Sequence, residues 1–429
     1  MPTFQTYEFG APFCPDWPQA THDAFKAFLK AMWQNRRNWP GHHPRDAPYF
    51  RYQSGAWQAQ GYAGVLAFQD WQIWVFPRLF GGEHWSAEVV MAHLDFYLKY
   101  AQPLAFGHLP VTATAALPLF EAFLAQWAKA AQDWLKEMEA NSASSAALKS
   151  QKKIDFTRYV RHQLPRGRWH QLPAMGEEEW LQRPLARLCK YILTTLPSRF
   201  ESLALSETMA QLRHQFGRVV ASPLSYAERQ ALPTSSPTQT RLKDFCQYYL
   251  DNQAAQQQLG QAQAFLWLLP MARLYERFVA GFIQRHFPEH CLETQKSAHL
   301  GRDGEGRAAL RVQTDLYLPQ LGHILDTKYK FAAPWGKRVP RQAFPEDVYQ
   351  IASYAWAYDC HHTTLLYPAV GEQSNPAQPG QVYHLREIRP GQKARRLSIW
   401  EINLVCKGEF NPIKLHQSIY QQLKAIIHP

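Results

Sequence analysis

The sequence predicts an α/β protein in three parts: a β-rich N-terminal domain, a helical middle region, and a C-terminal mixed sheet flanked by helices. Apolar and aromatic residues alternate at strand period between residues 62 and 76, which favours strands in the first part. Apolar residues recur at helical spacing in the middle, and short apolar runs alternate with helical patterns in the last part. A chain of 429 residues, 46% of them hydrophobic, is long enough for two or three domains with their own cores.

The composition argues against several classes of protein. The N-terminus lacks the basic and apolar segments of a signal peptide, and no apolar run reaches the roughly 18 residues of a membrane span, so we expect a cytoplasmic protein without a membrane partner. The six cysteines have no C-x-x-C spacing, which disfavours a zinc ribbon or a disulfide framework. No Walker A loop is present, so a nucleotide-driven motor must be another chain. The net charge of +11 favours a polyanionic partner such as nucleic acid.

The N-terminal domain is predicted to span residues 1–145. Its predicted elements are strands at residues 62–68 and 71–76 and helices at residues 85–98 and 115–139. Pro77 ends the second strand, because proline cannot donate to the ladder. The small, polar stretch 141–147 has no periodic pattern, so we interpret it as a linker to the next domain.

The middle region, residues 146–262, is predicted to be helical and basic. Helices are predicted at residues 181–196, 205–216 and 240–249. Cations alternate with aromatic residues near its start: Lys152, Lys153, Phe156, Arg158, Tyr159, Arg161, Arg166, Arg168 and Trp169. Such a segment can grip a nucleic-acid backbone and stack on bases, but an ordinary solvated face has the same composition.

The C-terminal domain is predicted to span residues 263–429. It is expected to begin with one long helix over residues 264–287, kinked at Pro270. Strands are predicted at residues 311–318, 324–330, 363–368, 381–388 and 397–405, with a helix at residues 345–354. Pro345, followed by two acidic residues, is typical of a helix start.

Two neighbouring strands of this domain carry a pattern that indicates chemistry. Asp326 and Lys328 share one face of a strand because side chains alternate between faces. An antiparallel turn would place Asp315, on the preceding strand, beside Asp326. Paired carboxylates suit a hard cation such as Mg²⁺, and with a nearby lysine they form the set needed for phosphodiester hydrolysis. An isolated Asp-x-Lys is more often a solvated pair on a surface hairpin.

Two helices supply further candidates. Glu276 lies at the edge of an apolar stripe, where its carboxylate could be held over the sheet, although such glutamates are usually solvated. Gln350 and Tyr354 are neighbours on one helix face because they are four residues apart. His361 and His362 have no second ligand cluster in the sequence, so a structural or exposed pair is the favoured interpretation.

These features occur in an order that resembles the restriction-endonuclease-like PD-(D/E)xK core and, more narrowly, the McrC family of nuclease subunits in McrBC-type 5-methylcytosine restriction systems. Five short motifs carry the resemblance: Leu274-Tyr275-Glu276-Arg277-Phe278-Val279, Asp315, Ile324-Leu325-Asp326-Thr327-Lys328-Tyr329-Lys330, Asp347-Val348-Tyr349-Gln350-Ile351-Ala352-Ser353-Tyr354 and Leu365-Leu366-Tyr367-Pro368. Upstream, Gly64-Val65-Leu66 and Ile73-Trp74-Val75-Phe76-Pro77-Arg78 resemble N-terminal strands of the family.

The resemblance implies a site, a substrate and a partner. Asp315 and Asp326 would ligate Mg²⁺ with Glu276 as a further ligand, Lys328 would serve the attacking water, and Gln350 would support the metal site. Tyr354 would orient Gln350. The substrate would be double-stranded DNA, and the partner a hexameric AAA+ GTPase resembling McrB, which binds GTP, docks on the N-terminal part of this chain and is stimulated by it.

Two features depart from the family pattern, and two other functions stay open. Arg78 stands where the family usually has lysine, and the helical middle is hard to match. One alternative is a nuclease of repair or transposition that works without a motor. The other is a scaffold that activates the GTPase without cleaving DNA.

Overall fold

The structure is a computed structural model of the chain. It describes residues 3–36, 48–69, 71–81, 85–101, 119–148, 159–167, 183–196, 200, 202–232, 235–259, 264–331, 344–370, 381–385, 395–406 and 408–428. Residues 152–158 and 168–169 of the basic segment lie outside these residues, so its two interpretations stay predictions.

The elements are numbered in chain order. The helices are α1 Gln19–Arg36, α2 Ala87–Tyr100, α3 Leu119–Leu148, α4 Pro184–Thr195, α5 Leu203–Gln215, α6 Tyr226–Gln230, α7 Pro237–Leu259, α8 Met271–His286, α9 Pro345–Ala357 and α10 Pro412–Ile427. The strands are β1 Thr3–Tyr7, β2 Phe50–Gln53, β3 Ala56–Ala59, β4 Tyr62–Phe68, β5 Trp71–Phe76, β6 Ala264–Pro270, β7 Glu293–Arg302, β8 Ala308–Leu318, β9 His323–Thr327, β10 His362–Pro368, β11 Gln381–Leu385 and β12 Arg395–Ile402. The predicted mixed α/β class, with N-terminal strands, helices and a C-terminal mixed sheet, is confirmed.

The chain forms two compact units, which do not follow the three predicted segments. One unit combines Met1–Leu104 with Gln258–Pro429, and the other is Ala105–Gln257. The predicted boundaries at residues 145 and 262 differ from these units. The predicted linker at residues 141–147 is also wrong, because α3 continues through it to Leu148.

A four-stranded sheet joins the two ends of the first unit, in the order β1-β5-β4-β6. The predicted hairpin of β4 and β5 is present and antiparallel, and β6 pairs antiparallel with the other edge of β4. Gly64 of β4 has φ 141°, and a Cβ there would lie 2.3 Å from the carbonyl oxygen of Trp267 in β6. Glycine is therefore needed where these two strands meet.

The prediction of one long helix over residues 264–287 is wrong. Residues 264–270 form strand β6, and only Met271–His286 is helical. Leu266, Leu268 and Leu269 are buried, and a short apolar run of this kind fits a buried strand as well as a helix. Its pairing with a strand about 200 residues earlier decides the outcome, which local periodicity cannot reveal.

The C-terminal mixed sheet has six strands in the order β11-β12-β10-β9-β8-β7. Its centre is parallel, since β10 pairs in parallel with both β9 and β12, whereas β7, β8 and β9 form an antiparallel meander. All five residues of β9 are buried. Helix α9 packs on this sheet through Ile351 and Tyr354, in a cluster with Ile324, Leu365 and Ile399.

Two further helices pack on the same unit. Tyr275 of α8 donates from its hydroxyl to the backbone oxygen of Leu366 in β10, at 3.2 Å. In α10, the amide of Gln422 holds the backbone of Asn403 just after β12, with the Asn403 nitrogen donating to its oxygen at 2.7 Å. These contacts fix α8 and α10 relative to the strand ends.

The second unit is helical, as its part of the sequence predicts. Helices α4 and α5 cover most of the predicted ranges 181–196 and 205–216, of which residues 181 and 182 lie outside the described residues, and α7 contains the whole range 240–249. Trp127 and Trp134 of α3 are fully buried. Among the described residues of either unit, no helix has the length and apolar character required to cross a membrane.

Candidate active site

Asp315 and Asp326 lie opposite each other on adjacent antiparallel strands. Leu316 pairs with Leu325 and Tyr317 with Ile324, so the next position in this register brings Asp315 opposite Asp326. The Asp315 carboxylate accepts two hydrogen bonds from Thr327, from its backbone nitrogen and its hydroxyl, each at 3.0 Å. The juxtaposition predicted from the hairpin is therefore present in the structure.

The Asp326 carboxylate is buried, with the residue 0% exposed. Its Oδ2 atom lies 2.7 Å from the ammonium nitrogen of Lys328, whereas Oδ1 has no hydrogen-bond partner among the described residues. Burial, and then the charge of Asp315, raise the pKa of Asp326 to about 7, although Lys328 opposes the shift. A buried carboxylate with an unsatisfied oxygen is costly unless a ligand or cation supplies the missing interaction.

Lys328 is the first residue after β9. Its backbone nitrogen donates to the oxygen of Leu366 at 2.9 Å, which fixes the chain beyond the last strand residue. Burial lowers the pKa of the Lys328 amine, but the Asp326 carboxylate outweighs this effect and the pKa is raised. Lys328 therefore keeps its proton at neutral pH, as a group that donates to an oxygen must.

Glu276 of α8 lies close enough to Asp315 to interact with its charge. The amide of Gln295 in β7 donates to its Oε1 atom at 2.6 Å. Burial, and then the charge of Asp315, raise the pKa of Glu276. Three acidic side chains from one helix and two strands therefore influence one another in a single region.

Gln350 and Tyr354 approach from α9. The amide nitrogen of Gln350, an exposed residue, donates to the Tyr354 hydroxyl at 2.5 Å. Burial, followed by the negative charge of Asp326, raises the pKa of Tyr354 to about 12. Tyr354 thus stands between Gln350 and the acidic cluster, which agrees with the predicted pairing of these two residues.

Asp347 was not predicted as part of the site, yet it is buried beside it. Its Oδ1 atom accepts from Lys330 at 2.8 Å, and its Oδ2 atom accepts from the hydroxyl of Tyr367 at 2.8 Å. Its charge also raises the pKa of Asp326. In the sequence, Asp347 was interpreted only as an acidic residue of a helix start, although it begins a motif that carries the resemblance.

The N-terminal segment contacts Tyr329, the residue that follows Lys328. The hydroxyl of Tyr329 donates to Glu8 Oε2 at 2.6 Å, and the backbone nitrogen of Arg78 donates to the same atom at 2.9 Å. Glu8 is fully buried. No local pattern marks Glu8, because its partner is 321 residues away.

The acidic cluster fits a hard divalent cation in its chemistry. Glu276, Asp315 and Asp326 offer only oxygen ligands, and Asp326 Oδ1 is buried without a hydrogen bond among the described residues. In the present conformation the three carboxylates do not bring one oxygen each within 4.8 Å of one another. At least one of the three side chains would therefore have to change its conformation for all three to share one ion.

Comparison with known proteins identifies the family. A family model described as "McrBC 5-methylcytosine restriction system component" matches residues 57–368. No curated protein sequence matches the chain.

Two solved structures resemble this one. A chain of the refined half-complex from a tetradecameric assembly of Thermococcus gammatolerans McrB AAA+ hexamers with bound McrC aligns with a TM-score of 0.61 and 14% identity. This alignment covers 99% of the present chain and 100% of the other, and it shows the same fold. A chain of the Thermococcus gammatolerans McrBC complex aligns with a TM-score of 0.42 and 14% identity, over 66% of the present chain and 88% of the other, which is too low to add to the argument.

The motifs at Glu276, Asp315 and Asp326-Thr327-Lys328 all lie within the matched residues 57–368, a range that is most of the 429-residue chain. The predicted family is therefore confirmed: the chain belongs to the McrBC family of 5-methylcytosine restriction-system components.

Proposed function

We propose that this chain is the Mg²⁺-dependent DNA endonuclease subunit of a GTP-driven, modification-dependent restriction complex that acts in defence against phage. The observation that carries the proposal is the buried Asp326, which is ion-paired with Lys328 and lies opposite Asp315, in a chain of the McrBC family. Such a buried set of charges is costly to keep without a function.

In the proposed reaction, water attacks the phosphorus of a DNA phosphodiester and one P–O ester bond breaks. Bound Mg²⁺ supplies a Lewis acid that stabilises charge on the phosphate and makes a bound water more acidic. Asp326 and Asp315 are the proposed ligands, with Glu276 completing the set. The Lys328 ammonium, fixed by Asp326, is placed to orient the attacking water or to stabilise negative charge on the phosphate. Tyr354 and Gln350 support the acidic cluster from α9.

We further propose that the chain works with an AAA+ GTPase partner and stimulates it. The supporting likeness is the Thermococcus gammatolerans assembly, which contains McrB AAA+ hexamers with bound McrC. The GTP would be bound by the partner.

The test is cleavage of methylated double-stranded DNA by the chain, a cognate AAA+ GTPase, GTP and Mg²⁺. Asp326→Asn and Lys328→Met are expected to lower the cleavage rate by about a hundredfold or more while stimulation of the GTPase is retained. Asp359→Asn is a matched control, because that aspartate is 86% exposed and pairs only with Arg395 among the described residues. Its rate should equal that of the unmodified chain.

The same assay separates the alternatives. Undiminished cleavage by Asp326→Asn would contradict the assignment of the site. Metal-dependent cleavage by the purified chain without the GTPase would favour a nuclease that needs no motor. Stimulation of the GTPase and phage resistance that both survive Asp326→Asn would favour a non-cleaving scaffold.

A further inference from the structure

Two histidines and a glutamate of the first unit meet just after the ends of α8 and α10. Helix α8 ends at His286 and is followed by a 3-10 turn, Pro288–His290. Helix α10 ends at Ile427, and His428 comes directly after it. The side chains of Glu289, His290 and His428 therefore lie where the ends of two helices come together.

The distances between these groups are those of ligands around one ion. The Nε2 atoms of His290 and His428 are 3.2 Å apart, and His290 Nε2 is 3.6 Å from Glu289 Oε1. One ligand atom from each of the three residues lies within 4.8 Å of the other two. Ligands bonded to zinc at about 2.0–2.1 Å in tetrahedral geometry are separated by about 3.3–3.4 Å, so the observed spacing matches.

The burial of the three residues also suits a metal site. His290 is 7% exposed, which gives one imidazole a fixed position, whereas Glu289 and His428 are exposed. A metal bound by these three residues would keep one position open to water. The charge of Glu289 would offset part of the charge of the cation.

The ligand types select the metal. Two imidazoles and one carboxylate suit borderline cations, of which Zn²⁺ is the common biological case. Mg²⁺ prefers oxygen ligands in an octahedral arrangement and would bind here poorly. The site is thus chemically distinct from the acidic cluster around Asp326.

A second histidine pair between the same two helices provides an internal comparison. His286 and His416 approach with their Nε2 atoms 3.0 Å apart. Among the described residues, no third histidine, cysteine or carboxylate brings a ligand atom within 4.8 Å of both members of this pair, as Glu289 does for His290 and His428. One hydrogen bond is enough to explain the pair His286 and His416. The pair His290 and His428 differs because the Glu289 carboxylate lies within ligand range of both imidazoles.

We propose that Glu289, His290 and His428 form a Zn²⁺ site that joins the end of α8 to the end of α10. The bound ion holds the two helix ends together. Since α8 carries Glu276, this link also fixes the helix that supplies one acid of the candidate active site. The inference does not depend on the proposed nuclease function.

The experiment titrates zinc chloride into the chelator-treated full chain and measures bound zinc and Kd. We expect one zinc ion per chain, and a rise in the unfolding temperature when zinc is added. Loss of a residue that only supports a metal ligand weakens metal binding by roughly tenfold to a hundredfold. His428→Ala removes a proposed ligand itself, so it should raise the Kd for zinc by more than this. His428 is exposed, so this variant tests the site with little risk to the fold.

Three controls make the result specific. His416→Ala should bind zinc like the unmodified chain. It removes a histidine that is paired with another histidine at a similar distance but has no carboxylate in ligand range. Asp326→Asn should also retain zinc, which separates this site from the active site. With Co²⁺, the unmodified chain should give the visible absorption of tetrahedral nitrogen and oxygen ligation without a thiolate charge-transfer band.

Equal zinc affinity in the unmodified chain and His428→Ala would overturn the proposal. So would the absence of stoichiometric zinc binding, which would leave His290 and His428 as a hydrogen-bonded pair. A thiolate band with Co²⁺ would also overturn it, because the ligands would then be cysteines elsewhere in the chain.

Discussion

Glu8 and Asp326 are carboxylates buried in the same unit, and in both cases burial is the largest cause of a raised pKa. Their surroundings differ. Glu8 accepts hydrogen bonds from Tyr329 and from the backbone of Arg78, whereas Asp326 pairs with Lys328 and faces a second carboxylate. Each carboxylate has a buried oxygen without a hydrogen-bond partner among the described residues, but only Asp326 lies beside a second carboxylate and a lysine.

The first prediction concerns Glu8. Burial raises the pKa of Glu8 from 4.5 to about 8, so the folded state binds a proton more tightly than the unfolded state. Stability from this group is fully present below pH 4.5 and is lost as the pH rises through about 8. Glu8→Gln should remove this loss, which is on the order of a few kcal/mol. The measurement is the free energy of unfolding from pH 5 to pH 9 for both chains.

An exposed glutamate serves as the control for Glu8. Glu305 is 71% exposed, and Glu305→Gln should leave the pH dependence of the unmodified chain in place. If Glu8→Gln loses stability over the same pH range by the same amount as the unmodified chain, Glu8 is not the group responsible.

The second prediction compares Glu346 and Asp347, two neighbouring residues that both pair with Lys330. Asp347 is 2% exposed and also accepts from Tyr367, whereas Glu346 is exposed and contacts only Lys330 among the described residues. Asp347→Ala leaves a buried tyrosine hydroxyl without a partner and should lower the free energy of unfolding by about 1–3 kcal/mol. Glu346→Ala should change it little, because exposed ion pairs are weak. Equal losses in urea unfolding of the two variants would contradict this account.

At the scale of elements, the contact between β4 and β6 holds the two ends of the first unit in one sheet. Strand β6 is short and apolar, and its pairing partner is distant in the chain. Gly64 allows the close approach, since the backbone of Trp267 occupies the space of a Cβ. Gly64 belongs to a motif that resembles the family, and this close approach explains why glycine is required there.

The third prediction concerns this glycine. Gly64→Ala adds a methyl group 2.3 Å from a carbonyl oxygen, at a residue with φ 141°. We expect a loss of about 2–5 kcal/mol from overpacking and backbone strain, measured by denaturant unfolding. Gly301→Ala in β7 is the matched control, because a Cβ there meets no atom within 4 Å and the change should be about 0.5 kcal/mol or less. If Gly64→Ala is as stable as Gly301→Ala, β4 and β6 can move apart enough to hold the methyl group at no cost in stability, which would contradict this account.

At the scale of the whole molecule, residues from both ends of the sequence build the unit that carries the candidate site. Tyr97 donates to the oxygen of Leu404 at 2.5 Å, and Tyr329 donates to Glu8. The segment that the family resemblance associates with partner docking is therefore bonded directly to the residue after Lys328. A displacement of the N-terminal strands would act, through this contact, on the segment that follows β9 and carries Lys328.

The fourth prediction concerns the net charge of +11. If DNA is the substrate, each phosphate contact releases counterions, and log K for binding should fall with log salt at a slope of about −0.9 per contact. Measuring the affinity for a DNA duplex between low and physiological salt gives the number of contacts. Binding that does not change with salt would mean that the basic residues face solvent and do not contact the phosphates.

The sequence alone determined the fold class and the family, and it predicted most of the residues that meet in the candidate site. Short motifs with fixed spacing are local, so Asp315, Asp326 and Lys328 could be placed on adjacent strands from alternation and one turn. Gln350 and Tyr354 followed from helical spacing in the same way.

The tertiary structure decided what depends on distant partners. Strand β6 reads as part of a helix until its pairing with β4 is known, and the small polar residues at 141–147 read as a linker although they continue α3. Glu8, Asp347 and the cluster at Glu289, His290 and His428 gain their meaning from side chains far away in the sequence. Burial raises the pKa of Glu8, and long-range contact sets the geometry of the cluster; no local pattern encodes either quantity.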